Sequence, residues 1–200
     1  MNFDSIKKIK GFMPEHEGMA LFEWARVFSK FGPILEIGTY CGKSSIYLSA
    51  GAKKNDQYVY TIDHHQGSEE HQLNEEYFDE EIYDHYMKRV NSLPLLIKNI
   101  NKFNVKNIVP IIGESKKISS NWKSNIGMLF IDGGHSHESA DNDYKYWESK
   151  ISKGGCLVIH DIFENPDKGG QAPYEIYQKA LKNNYKIHER VDTIVSLVKQ

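Results

Sequence analysis

The feature that most constrains this chain is a set of five short apolar runs that each stop at a glycine or an acid. They are ILEI (34–37) before Gly38, YVYTI (58–62) before Asp63, IVPII (108–112) before Gly113 and Glu114, GMLFI (127–131) before Asp132, and CLVIH (156–160) before Asp161. Runs this short and this continuous read as strands buried on both faces. Between them the apolar positions switch to helical spacing. Leu21, Phe22, Trp24, Ala25 and Phe28 predict an amphipathic helix over roughly 15–30, and Ser44 to Ala52 a second. Ser92 is placed to cap a third, carrying Leu93, Leu96, Ile97, Ile100 and Phe103. Ala140, Tyr144, Trp147 and Ile151 form one stripe, and Pro173 starts a helix with Tyr174, Tyr177, Ala180 and Leu181. Strands alternating with helices imply a parallel sheet covered on both sides, a doubly wound α/β fold. Two last runs, Tyr185–Val191 and Thr193–Val198, close the chain, the second expected as an antiparallel edge.

Composition narrows the function classes. The 200 residues are 40% hydrophobic and 26% charged, with a formal net charge of −2. This suits a single domain over 1–200, with 1–32 as an N-terminal helical extension and 64–91 as an acidic, lid-like insertion. No basic field, no basic stripe with interleaved aromatics and no N-P-P-Y amide-base motif recruits nucleic acid. No run approaches the ~18 apolar residues of a membrane span. The N-terminus has lysines but lacks the apolar core and cleavage site of a signal peptide. Cys41 and Cys156 stand far apart in unrelated contexts, so a reducing cytoplasm is the simplest home.

In a doubly wound sheet, ligands bind beyond the carboxyl ends of the strands, and here acids stand at four of the five ends. The stretch LEIGTYCGKSS (35–45) adds glycines at 38 and 42 between a strand and a helix. Small residues there let a backbone approach a ligand, and the helix start offers free N–H groups. The spacing is neither the G-x-G-x-x-G of a dinucleotide fold nor a phosphate loop. An acid such as Asp63, ending the second strand, can accept both hydroxyls of a ribose.

Glu36, the glycine pair and Asp63 together resemble the class I S-adenosylmethionine (SAM)-dependent methyltransferases, over about residues 33–163 and the terminal strand pair. FIDGGHSHESADNDYKYWESKISKGGCLVIHDIF (130–163) looks like the bacterial branch of macrocin- and catechol-O-methyltransferase-like enzymes. The resemblance implies a Rossmann-like methyltransferase sheet, mostly parallel, and SAM as cofactor with S-adenosylhomocysteine as product. It implies a SAM site lined by Glu36, Gly38, Tyr40, Gly42, Ser44, Asp63, His64 and the Gly113–Glu114–Ser115 turn, with Asp132 beside it. In relatives with the D-G-x-H pattern the aspartate binds a divalent metal and the histidine is the general base toward a hydroxyl. Carried over, Asp132 and Asp161 become metal ligands and His135 the base, while His137 reads as a surface residue of a first helical turn.

Two positions depart from those relatives. His160 stands where macrocin-like enzymes have an acid, and Ile162 where catechol-type enzymes have asparagine. An imidazole suits manganese, iron or zinc better than magnesium, so His160 is either a third ligand that shifts the metal among Mg, Mn and Zn or a core histidine bonded to a backbone carbonyl. His64, His65 and His71 match no recognised metal spacing. The acids of 64–91 fit a lid over a neutral or cationic small-molecule acceptor, or a solvated surface helix. KGGQAPYEIYQ (168–178) borders the acceptor pocket or a subunit interface, and a homodimer is left open. The competing readings are an NAD-binding oxidoreductase and a SAM-binding protein without turnover.

Overall fold

A computed structural model describes residues 3–67, 72–73, 78–134 and 136–200. Seven strands form the main sheet: β1 (Ile34–Ile37), β2 (Val59–Asp63), β5 (Ile108–Ile112), β6 (Ile126–Ile131), β7 (Ile151–Ile159), β8 (Tyr185–Val191) and β9 (Ile194–Lys199). Their order is β5-β2-β1-β6-β7-β9-β8. The first five are parallel, and β9 runs antiparallel to both β7 and β8. A short hairpin, β3 (Tyr83–Asp84) with β4 (Arg89–Val90), stands apart.

Alternation along each central strand divides two cores. Ile34, Met128, Phe130, Cys156 and Val158 face one side, which is covered by α1 (Phe3–Ile6), α2 (Glu15–Phe28) and α3 (Lys43–Ala52), with α4 (Leu93–Lys102) at its margin. Leu35, Ile37, Leu129, Ile131, Leu157 and Ile159 face the other, under α6 (His137–Trp147) and α7 (Ala172–Lys182), with the short α5 (Ser115–Ser119) beside them. Neither face meets water, which is why the strands read as unbroken apolar runs. Among the described residues, no helix is long and apolar enough to cross a membrane.

Four expectations are corrected. The last run is not the edge: β9 inserts between β7 and β8, and the charge-bearing YKIHERV strand takes the outside. Ile151 leaves the predicted helix stripe and begins β7, because a 3-10 turn at Glu148–Lys150 ends the helix. Ser92 sits at the start of α4, yet its hydroxyl meets His65 Nδ1 at 2.8 Å instead of capping the helix. The described part of the 64–91 insertion holds a 3-10 turn (Glu80–Ile82) and the β3–β4 hairpin rather than a surface helix. His71, with 68–70 and 74–77 of the insertion, lies outside the described residues.

Trp147 links the helical layer to the sheet. It is fully buried, its ring meets Trp122 edge-on, and its Nε1 donates to Ser115 Oγ at 2.8 Å. Trp147→Ala should cost about 3–5 kcal/mol, measured as the shift in chemical denaturation midpoint at constant m. A change near zero would mean that this layer is not packed as described.

Candidate active site

The parallel strands end in phase. Ile37 pairs with Ile62 and Ile131, and Ile131 with Ile159. The ladder then continues one residue further: Gly38 N–H donates to Ile62 O (3.0 Å), Asp132 N–H to Ile37 O (2.9 Å), and His160 N–H to Ile131 O (3.2 Å). Gly113 N–H likewise donates to Asp63 O at 3.1 Å. Gly38, Asp63, Gly113, Asp132 and His160 are thereby delivered to one edge. Strand order reverses between β1 and β6, so Gly38 and Asp132 flank the switch point.

The glycines of the β1–α3 loop answer to packing within the chain. Gly38 has φ +90°, and a Cβ there would lie 2.0 Å from the Asp132 carbonyl oxygen. Gly42 has φ +86°, and its Cβ would meet Leu96 Cδ1 at 2.5 Å. Tyr40, between them, takes a positive φ of 48° and directs its hydroxyl to Asp79 Oδ2 at 3.4 Å.

Glu36 is not on the surface of the cleft. It is fully buried and accepts hydrogen bonds from Ser44 Oγ (2.5 Å), Thr61 Oγ1 (2.6 Å) and Ser45 Oγ. Ser44, expected at the cofactor, therefore spends its hydroxyl on Glu36. Burial pushes the Glu36 carboxyl up to about 7, against the three hydroxyls, which favour its ionised form, and with some help from Asp132. Glu36 braces the loop from beneath.

Asp63 also binds the loop. Its Oδ2 accepts from Thr39 N (3.0 Å) and Tyr40 N (2.9 Å), and its Oδ1 from His65 N (2.7 Å). A carboxylate has about four acceptor positions, so capacity for ribose hydroxyls remains. Beside it, a cavity of about 280 Å³ is lined by His64, Gln66, Gly67, Gln72, Arg89 and Glu114. His64 and Glu114 thus share one hollow beyond β2 and β5. Ser115 does not join them: its hydroxyl serves Trp147 and the buried Asp143.

At the other end of the edge, one ligand atom each from Asp132, His160 and Asp161 falls within 4.8 Å of the others. His160 Nδ1 lies 3.1 Å from Asp132 Oδ1 and 3.3 Å from Asp161 Oδ2, but neither contact has hydrogen-bond geometry. The ring is not bonded to a backbone carbonyl; Nε2 faces Glu17 Oε2 at 2.8 Å. Burial alone would lower the pKa of His160, and the surrounding carboxylates of Asp132, Asp161 and Glu17 raise it instead. His135 lies outside the described residues. His137 is an exposed first-turn residue of α6, 3.0 Å from Glu175 Oε2.

A family model described as a methyltransferase domain matches residues 35–162, well over half of the chain. The chain belongs to the class I SAM-dependent methyltransferases. Solved structures with the same fold include the O-methyltransferase NovP, at 16% identity and TM-score 0.66 over 90% of this chain and 79% of that one. An O-methyltransferase from Bacillus cereus in complex with SAH matches at 16% identity and TM-score 0.64, over 98% and 87% of the two chains. An rRNA methylase from Streptococcus thermophilus shares the fold too, at 13% identity and TM-score 0.59 over 94% and 99%. The family match sets aside the NAD-binding oxidoreductase.

Two buried acids of this methyltransferase escaped the reading of its sequence. Asp143 follows Ala140 by three positions on a helix otherwise read for its apolar stripe, and burial pushes it up to about 6 despite the Ser115 hydrogen bond. Glu17 sits on the apolar face of α2 among Leu21, Trp24 and Phe28. An acid on the buried stripe of an amphipathic helix was the available signal for both.

The raised Glu36 pKa has a measurable consequence. Between the ordinary 4.5 and about 7, the folded chain holds a proton on Glu36 that the unfolded chain has released. Raising pH through that window costs native-state stability. Glu36→Gln, which carries no such proton, should gain on wild type from pH 5 to pH 8 by on the order of 3 kcal/mol. Paired denaturation curves check this, and a difference that stays constant with pH would rule out a buried protonated acid.

Proposed function

We propose that this chain transfers a methyl group from SAM to a hydroxyl oxygen of a small-molecule acceptor, assisted by a divalent cation at Asp132, His160 and Asp161. The observation that carries the reading is the convergence of those three side chains at the switch point, next to the loop that Glu36 and Asp63 brace. The donor set fits a cation: two carboxylates and an imidazole whose buried Nδ1 has no hydrogen-bond partner and points between them. Asp63, His64 and Glu114 would hold the adenosine end of the cofactor. Gly38, Tyr40 and Gly42 would hold its methionine end through loop backbone, near Asp132.

SAM supplies a methyl carbon on a sulfonium, and transfer forms the oxygen–carbon bond as the sulfur–carbon bond breaks. A bound cation would supply positive charge that lowers the acceptor hydroxyl's pKa. The chain itself must hold the oxygen in line with the methyl carbon, since displacement at carbon is sensitive to approach. Asp132 orients the acceptor oxygen beside the loop. His135 takes the hydroxyl proton, a role open to imidazoles at physiological pH. His64, Gln66, Gly67, Gln72 and Arg89 of the 64–91 insertion line the cofactor-side cavity, and its acids, Glu80, Glu81 and Asp84 among them, would disfavour anionic acceptors.

Titration calorimetry with SAM, repeated with Mg²⁺, Mn²⁺ and Zn²⁺ singly, tests this reading. SAM should bind, and a separate metal signal should vanish in Asp132→Ala with the fold intact. His135→Ala should lower turnover about 10²–10⁴-fold while SAM affinity changes little. Full activity in that variant would overturn the base assignment. Transfer to anionic acceptors alone, at rates unaffected by neutralising the insertion's acids, would overturn the acceptor class.

A further inference from the structure

The N-terminal extension reaches the metal cluster through one buried carboxylate. Glu17 of α2 is 1% exposed. Its Oε1 accepts from the backbone N–H (2.9 Å) and hydroxyl (2.7 Å) of Thr193, in the β8–β9 turn. Its Oε2 lies 2.8 Å from His160 Nε2. Both residues that build this contact behind His160, Glu17 and Thr193, fall outside residues 35–162 matched by the family.

The hydrogen-bond inventory sets the state of the imidazole. Glu17 Oε1 already accepts from both donors of Thr193, and of a carboxyl and an imidazole facing each other the imidazole is the stronger base, so Glu17 accepts at Oε2 as well. Nε2 must therefore carry a proton. In a neutral ring, the lone pair is then on Nδ1, the atom 3.1 Å from Asp132 and 3.3 Å from Asp161. Phe130, edge-on with ring centroids 6.4 Å apart, packs against the same ring. Metal-bound histidines commonly have such an outer partner, which fixes tautomer and orientation.

We propose that Glu17 is a positioning residue for the metal: it holds His160 as the Nε2–H tautomer, presents Nδ1 to the cation, and thereby makes the site prefer Mn²⁺ or Zn²⁺ over Mg²⁺. The inference rests on the metal reading above. A nitrogen donor favours the later first-row ions, whereas magnesium favours an all-oxygen set. In Glu17→Gln the packing volume is kept. If the Gln carbonyl stays with Thr193, its NH₂ meets Nε2, which must then accept, and the ring proton moves to Nδ1, against the cation.

Calorimetric titration of the full chain with MnCl₂, ZnCl₂ and MgCl₂, in wild type, Glu17→Gln and Asp132→Ala, tests the inference, with SAM affinity as the check on folding. Wild type should bind Mn²⁺ and Zn²⁺ more tightly than Mg²⁺. Glu17→Gln should weaken Mn²⁺ and Zn²⁺ about 10–100-fold and change Mg²⁺ less. Histidine-ring ¹⁵N spectra of zinc-loaded wild type give a readout independent of any Glu17 variant, with the His160 signals identified by their loss in His160→Asn. Nε2 should be protonated and Nδ1 metal-shifted. Metal binding that disappears in Asp132→Ala but is unchanged in Glu17→Gln would overturn the role of Glu17 and leave the metal reading standing. Zinc on Nε2 would overturn it as well. No binding of any ion to wild type would overturn both.

Discussion

The carboxyl edge of the sheet depends on one backbone bond, Asp132 N–H to the Ile37 carbonyl at 2.9 Å, made across the place where strand order reverses. It draws the β6 end so close to β1 that the Asp132 carbonyl occupies the space a Cβ on residue 38 would need. Only a glycine fits there, at a φ that turns the chain back toward Asp63. The Asp63 carboxylate then catches the amides of Thr39 and Tyr40 and fixes the loop. On the other side, the His160 N–H bond to Ile131 sets the imidazole beside Asp132. The braced loop and the cluster of Asp132, His160 and Asp161 are two results of the same register.

Much of this architecture was legible because strands buried on both faces leave unbroken apolar runs, and these stop where the chain reaches the ligand edge. The order of the last two strands was misread for a physical reason that the residues do carry. IVSLVK is apolar enough to be buried between neighbours, whereas YKIHERV brings Lys186, His188, Glu189 and Arg190 to an edge, where charge discourages pairing with another chain. Chain order suggested the outside position for the last strand, and burial overrode it. Ile151 was drawn into the helix stripe for a related reason: spacing alone does not register a 3-10 turn.

The site was legible by residue type and far less by partnership. Glu36, Asp63, Asp132, His160 and Asp161 were all singled out as polar groups at strand ends. What each one bonds is decided by topology, across separations that spacing does not encode. Glu17 and His160 are 143 positions apart, Glu36 and Thr61 are 25, and Ser115 and Trp147 are 32. The glycines show the same limit, since Gly38 and Gly42 are demanded by Asp132 and Leu96 before any ligand is considered.

Glu17 and Glu36 show how partners decide the chemistry of one residue type. Both are buried, but Glu36 hydrogen-bonds only to neutral hydroxyls and burial pushes it up to about 7, while Glu17 meets an imidazole and Thr193 and is pulled below the usual carboxyl range. The first can hold its own proton at neutral pH; the second needs a donor facing it. Stranding one member of a buried ion pair costs more than replacing both together. An acid at position 160, as in the macrocin-like pattern, would put a second carboxyl group against Glu17, and the buried pair would have to hold one proton between them. The histidine at 160 and the acid at 17 are therefore one buried unit in physical terms. Through that 2.8 Å contact His160 is tied to α2, which lies outside residues 35–162 matched by the family.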